Sequence, residues 1–305
     1  MNKKENKILI GSICALGCEF IYGLSYAFTK KATEVASPLT LLGWRFVIAA
    51  VIMTLCALVG IIKLDLRQKN IKPLIAVAVF NPVIYFICET FGISSTTASE
   101  SGVLLACIPV ASLMASSFFL KNKPSGVQVL GVLITLLGVL VTVFAVGTSS
   151  SFSVSGYVFL LIAVLSYSLY AVFVEKSSDY SGAEVTYIML VAGATVFLLL
   201  ALIEAVIKGN MSVLLTLPVK NGDFLLAVLY QGIGCSIIAF FLSNVSISKI
   251  GVNGASTFIG VSTVVSIIAG SVTLGEKFSV FQIVGAGIII IGVYVANVHL
   301  FRRKN

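Results

Sequence analysis

Asn81, Tyr85 and Glu89 recur at steps of four, so a helix through them presents all three from one face. A second carboxylate, Glu100, follows across a short polar bend in the stretch NPVIYFICETFGISSTTASESGVLLACIP (81–109). Glu19 stands in a similar helical relation to Tyr22 and Tyr26, at i+3 and i+7, and Arg45 adds a cation beside Trp44. Carboxylates in such company can take up a proton or hold a cation, and a nearby Arg can pair with them. At hydrocarbon depth these groups are costly and usually face a protein interior or a water-filled path.

The setting is indeed hydrocarbon. Of the 305 residues 58% are hydrophobic and only 10% charged, against about 25% charged in a soluble domain, and the mean hydropathy is +1.09. Apolar runs of about twenty residues, long enough to span a bilayer, recur from end to end. The expected fold class is an all-α integral membrane protein of ten transmembrane helices. They are placed near 8–29, 38–62, 73–92, 99–120, 126–147, 155–175, 184–207, 223–245, 251–273 and 279–300. Two connections are longer, 63–72 and 208–222, and an uncharged, Ser-rich linker, 147–156, lies halfway along. Lys3, Lys4 and Lys7 before ILIGSICALGC imitate a signal peptide, but the apolar run continues past Cys18 and an uncleaved first helix explains the same residues.

With the N-terminus inside, cytoplasmic segments would hold 14 of the Lys and Arg and outer segments 5, which puts both termini in the cytoplasm. The net charge of +8 then belongs to loops beside anionic lipid rather than to a nucleic-acid surface. All six cysteines lie in apolar segments without a CxxC, and the single histidine, His299, is near the C-terminal end. Neither a disulfide framework, a metal site nor a cofactor is indicated.

An internal repeat organises the chain. YGLSYAFTKK (22–31) aligns with YSLYAVFVEK (167–176) at a shift of 145, and 120–141 aligns with 274–295 at a shift of 154. In the second window Leu120, Lys123, Ser125, Gln128, Gly131, Ile134, Gly138, Val139 and Val141 all recur. The implied units are 1–147 and 148–305, five helices each, within one membrane domain. An odd number of spans turns the second unit upside down, an inverted-repeat architecture common in transporters.

Taken together, YGLSYAFTK, SPLTLLGWRF (37–46), ETFGISSTTASESGVLLACIPV (89–110) and LGEKFSVFQIVGAGIIIIG (274–292) resemble an EamA-type member of the drug/metabolite transporter superfamily. The resemblance covers nearly the whole chain. It implies ten helices, cytoplasmic termini, a prokaryotic plasma-membrane location and typically export of amino acids or related metabolites. It also raises interest in Arg45, whose second-helix position is recurrent in that family.

Each site residue has a plainer alternative. Glu19, about 16 Å deep by helical rise, titrates or binds a cation, or is simply a packed carboxyl. Arg45 and Glu89, at similar depths, are expected to form an ion pair, as a gate or as mutual neutralisation. Glu100 has N-capping as its structural job, and Glu204 is expected to snorkel. At the repeat shifts the four charged positions 19, 45, 89 and 100 meet Val164, Leu190, Ser243 and Gly254. The second half offers Ser166, Tyr170, Gln231, Asn253 and Ser256 instead. Such a lopsided cavity suits a zwitterion or an amine, although small polar residues also serve helix packing. Pro82 and Pro109 can free backbone carbonyls for solute or bending.

The leading expectation is a secondary active exporter of small polar metabolites, with protons as coupling partner through Glu19 or Glu89. Uptake or exchange, and a non-transporting structural subunit, stay open, as does the oligomeric state. The absence of GxxxxGK[ST], HExxH or a Ser/His pair argues against ATP hydrolysis and against an enzyme.

Overall fold

The computed structural model describes residues 3–66, 70–146, 153–177, 179–275 and 279–302. Most of the expected 147–156 linker therefore lies outside the described residues, which form helices and no strand. The first half contains α1 (Lys3–Val35), α2 (Pro38–Leu58), α3 (Lys72–Ala78), α4 (Tyr85–Ser94), α5 (Ala98–Leu105), α6 (Ile108–Phe119) and α7 (Gly126–Val146). The second contains α8 (Val154–Lys176), α9 (Gly182–Ile207), α10 (Met211–Lys220), α11 (Gly222–Leu229), α12 (Phe240–Ser256), α13 (Ile259–Leu274) and α14 (Val280–Arg302). Short π-helical segments, Val79–Ile84 and Tyr230–Ala239, join α3 to α4 and α11 to α12.

Among the described residues, six helices are long and apolar enough to cross a membrane: Glu5–Val35, Pro38–Leu58, Lys72–Ser94, Val154–Lys176, Gly182–Ile207 and Gly222–Ser256. Shorter apolar helices lie between and after them. Their outward faces carry exposed Leu58, Phe118, Ile207 and Val272, as a lipid-facing surface requires. Two expected boundaries shift. The expected loop at 208–222 contains α10. The expected gap between 245 and 251 is helical, and the bend falls at Gly251, whose φ of +74° only glycine adopts freely.

Helix starts are set by local chemistry. Ser37 caps α2 through Thr40 N–H at 3.1 Å, with Pro38 next. Ser181 and Glu184 form a reciprocal capping box on α9. A second such exchange joins Ser125 and Gln128, and it recurs between Ser279 and Gln282. The recurrence shows the two repeats sharing one local solution 154 residues apart.

The repeats meet as inverted partners. α7 packs along α14. A Cβ on Gly292 would come within 2.7 Å of the Gly131 carbonyl, and one on Gly138 within 2.7 Å of the Gly285 carbonyl. Positions 131 and 285, like 138 and 292, are repeat mates, so the crossing is antiparallel and self-complementary. α2 pairs with α9 likewise, with Gly43 against Ala201 at one end and Thr54 bonded to Tyr187 at the other.

Candidate functional site

Where the two repeats meet, the interior turns polar. Arg45, only 2% exposed, projects from α2. Its Nε donates to Ser236 Oγ at 2.8 Å and a terminal nitrogen donates to Gln231 Oε1 at 3.0 Å. Gln231 in turn donates to Thr29 Oγ1 of α1 at 3.1 Å. The guanidinium carbon lies 4.1 Å from the Phe86 ring centroid, within cation–π range. One buried cation thus ties α1, α2, α4 and the second π segment together.

The expected ion pair between Arg45 and Glu89 is not formed. Glu89, on α4 and 4% exposed, accepts from Tyr85 Oη at 2.9 Å, so the i, i+4 pair read from the sequence is satisfied within its own helix. Arg45 has turned to the neutral oxygens of Gln231 and Ser236. The Phe86 ring under the guanidinium also meets the Tyr85 ring edge-on, at 4.8 Å between centroids.

From Tyr85 the polar path continues through aromatic rings. Tyr85 lies 5.7 Å from Tyr167, and Tyr167 lies 5.3 Å from Tyr170, between ring centroids. Tyr167 and Tyr170 share Ser243 Oγ at 3.3 and 3.5 Å. Tyr170 donates to Asn244 Oδ1 at 2.6 Å, and Asn244 donates to Thr186 Oγ1 at 2.9 Å. Across the seam, α1 packs closely on α13 and carries the buried Glu19 and Tyr26. Gly23 permits that approach, since a Cβ there would stand 2.7 Å from the Ser262 carbonyl. Tyr22 is half-buried against the same core.

Asn81 sits where helical geometry breaks, at φ −145° and ψ 114° ahead of Pro82. Its side-chain oxygen is buried and unpartnered. Ser166 of α8 donates to the neighbouring Phe80 carbonyl at 2.7 Å, so the expected opening of the backbone near Pro82 is present. Gln231 lies in the corresponding π segment of the second repeat, and π segments often mark functional sites. Pro109 occupies the first turn of α6, after a break between α5 and α6.

The remaining sequence candidates stand elsewhere. Trp44 donates to the Leu214 carbonyl at 2.8 Å and lines a small apolar cavity of about 110 Å³ with Gly43, Leu198 and Leu202. Glu100 and Thr97 bond each other's backbone N–H at 2.9 and 3.0 Å, the capping job expected of Glu100, and Tyr157 also reaches its carboxylate. Asn253 accepts from Ser116 Oγ at 2.5 Å near one end of the bundle, with buried Ser256 one turn beyond. Glu204 pairs with Lys208 at 2.6 Å and also accepts from Ser37. Among the described residues no His, Cys, Asp and Glu group is arranged to hold a metal ion.

Ser236, Thr29, Asn244 and Thr186 were not singled out from the sequence. Single hydroxyls and amides in apolar helices carry no spacing signal, and only the packing shows which face the seam.

The chain's relatives agree with this architecture. The EamA-like transporter family matches it twice, over residues 9–144 and 154–298. A Bacillus subtilis (strain 168) protein named uncharacterized transporter YcxC is 32% identical over 293 residues, covering 95% of this chain and 94% of that one. An uncharacterized transporter of Archaeoglobus fulgidus is 22% identical over 281 residues, 90% of this chain and 94% of its own. A solved structure titled only as the crystal structure of a protein shares the fold, with a TM-score of 0.73 at 21% identity over 96% of this chain and 99% of its own.

Proposed function

The chain belongs to the EamA-like transporter family, and on that premise we propose that it exports small polar metabolites, amino acids and related amines first, by alternating access. In this reading ten spans divide into units 1–147 and 148–305, with both termini in the cytoplasm and the plasma membrane as the site. The supporting observation is the set of buried polar groups between the two repeats: Arg45 bonded to Gln231, Glu89 bonded to Tyr85, and Glu19 buried on α1. Buried polar groups on facing helices from inverted repeats are the usual make-up of a midplane solute site.

This set offers a cation, two carboxylates and several hydroxyls within an apolar protein. An amino acid presents the complementary set, with its carboxylate toward Arg45 and its ammonium toward Glu89 or Glu19. A purely apolar solute would leave these groups unmatched. Proton coupling follows if one carboxylate is neutralised in turn by solute and by a proton, so that inward proton movement drives solute out.

Proteoliposomes containing the full chain, loaded with individual amino acids or amines and placed in an imposed proton gradient, test this reading. Solute-specific efflux that accelerates with acid outside is the expected result. Transport absent for every zwitterion and amine, or indifferent to Arg45→Ala, would overturn it.

A further inference from the structure

By sequence α1 belongs to the first repeat, yet it packs chiefly on α12 and α13 of the second. Gly11 seats it there, since a Cβ would come within 2.6 Å of the Ile250 side chain and 3.2 Å of Lys249. α8 makes the reciprocal exchange onto α4 and α6. Gly156 lies against Ser95 and Thr96, with a Cβ 2.7 Å from Thr96. Gly11 and Gly156 are repeat mates at the shift of 145, and 95–96 match 249–250 at 154. The bundle therefore comprises two equivalent bodies, α1 with α12 and α13, and α8 with α4 and α6, each holding its exchanged helix by close glycine packing.

Two charged side chains cross from one body to the other. Lys30 of α1 donates to the carbonyls of Ile93, Ser94 and Thr96 at 3.4, 3.1 and 2.5 Å. These lie at the C-terminal end of α4, where orphan carbonyls and the helix dipole favour a cation. Glu175 of α8 accepts from Val252 N–H at 2.6 Å and from Asn122 at 3.1 Å. Val252 directly follows the Gly251 bend, so its N–H is released from the helix before it. Lys30 and Glu175 are themselves repeat mates, opposite in charge, each matched to carbonyls or to N–H groups. They also sit at opposite ends. Gly11 abuts 249–250, beside the Glu175 contact, and Lys30 lies about 28 Å further along α1 at helical rise.

We propose that Lys30 and Glu175 are the two latches of the seam, each holding one end of the bundle shut and each released when the solute path opens at its own end. The proposal rests on the transporter reading for its purpose, and on geometry alone for the latches. Polar ties suit the task because water can replace both partners when they separate. Pulling apart the glycine-packed corners would instead open a void. At the Glu175 end a polar hollow of about 440 Å³ lined by Lys121, Lys123, Glu175 and Asn253 already reaches the latch. The bond from Ser116 to Asn253 is a second tie there.

Pulsed electron–electron distance measurements on the full chain in liposomes, with the six native cysteines replaced, test this directly. Exposed repeat-mate positions serve as label pairs: Lys31 with Ser95 at one end, Lys176 with Lys249 at the other. Lys30→Met is expected to shift weight about tenfold toward a longer 31–95 distance, the size a charge-assisted bond implies, while 176–249 does not lengthen. Glu175→Gln should do the reverse, and Lys30→Arg should keep the wild-type distribution. An unchanged 31–95 distance in Lys30→Met, or equal lengthening at both ends in either variant, overturns the latch assignment. The distances are read without solute, so that failure leaves the transport reading intact. A chain that shifts ends as expected but moves no zwitterion or amine supports the latches and sinks the transport reading alone.

Discussion

Gln231 and Ser236 stand five positions apart in the chain and hydrogen-bond the same Arg45 guanidinium, at 3.0 and 2.8 Å. On a regular α-helix residues at i and i+5 point in well-separated directions. Both lie in the π segment Tyr230–Ala239, whose wider turn brings i and i+5 into line. The backbone irregularity is therefore what lets one helix grip the buried cation twice.

Arg45→Ala should lower the thermal unfolding temperature in detergent as well as abolish transport. Removal of the guanidinium leaves the buried Gln231 and Ser236 oxygens without their donor, and an unsatisfied buried polar group costs about 1–3 kcal/mol. Arg45→Lys should recover much of the stability and little of the transport, because an ammonium cannot reproduce the guanidinium fork. Melting curves and initial efflux rates separate the two effects.

Glu19→Gln and Glu89→Gln test coupling. One of them should make solute flux insensitive to an imposed proton gradient while counterflow of labelled solute persists. Wild-type response to acid outside in both variants would remove these carboxylates from the coupling step.

Tyr85→Phe should weaken transport less than Glu89→Gln does. It removes a single hydrogen bond to the carboxylate, normally about 0.5–1.5 kcal/mol net and more when charged, and keeps the ring against Tyr167. Loss equal to that of Glu89→Gln would make the Tyr85 hydroxyl itself part of the solute site.

Asn81→Ala should raise the solute KM at least several-fold without lowering stability. Its buried side-chain oxygen has no partner, and an unsatisfied buried acceptor costs about 1–3 kcal/mol. A clear loss of melting temperature with unchanged KM would mark Asn81 as structural.

Gly131→Ala should destabilise by about 1–3 kcal/mol, as overpacked cores do, because the added Cβ would fall 2.3 Å from the Ala296 backbone nitrogen. Gly287→Ala, which meets nothing within 4 Å, is the control and should be neutral or slightly stabilising. Paired melting curves decide it.

Composition, hydropathy and the two gap-free shifts were enough to establish a helical membrane protein built from two repeats. Hydrocarbon demands long apolar helices, and a duplicated pattern of Gly, Ser and Gln survives in the residue order. The facing of Tyr85 and Glu89 was equally legible, since i, i+4 geometry is local. What only the tertiary structure decided is which groups meet across the chain. Arg45 turns to Gln231 and Ser236 rather than to Glu89, Trp44 turns away to the Leu214 carbonyl, and Lys30 and Glu175 bridge bodies that exchange their first helices. These pairings join residues many tens of positions apart and depend on π turns and glycine contacts, which have no periodicity in a single sequence.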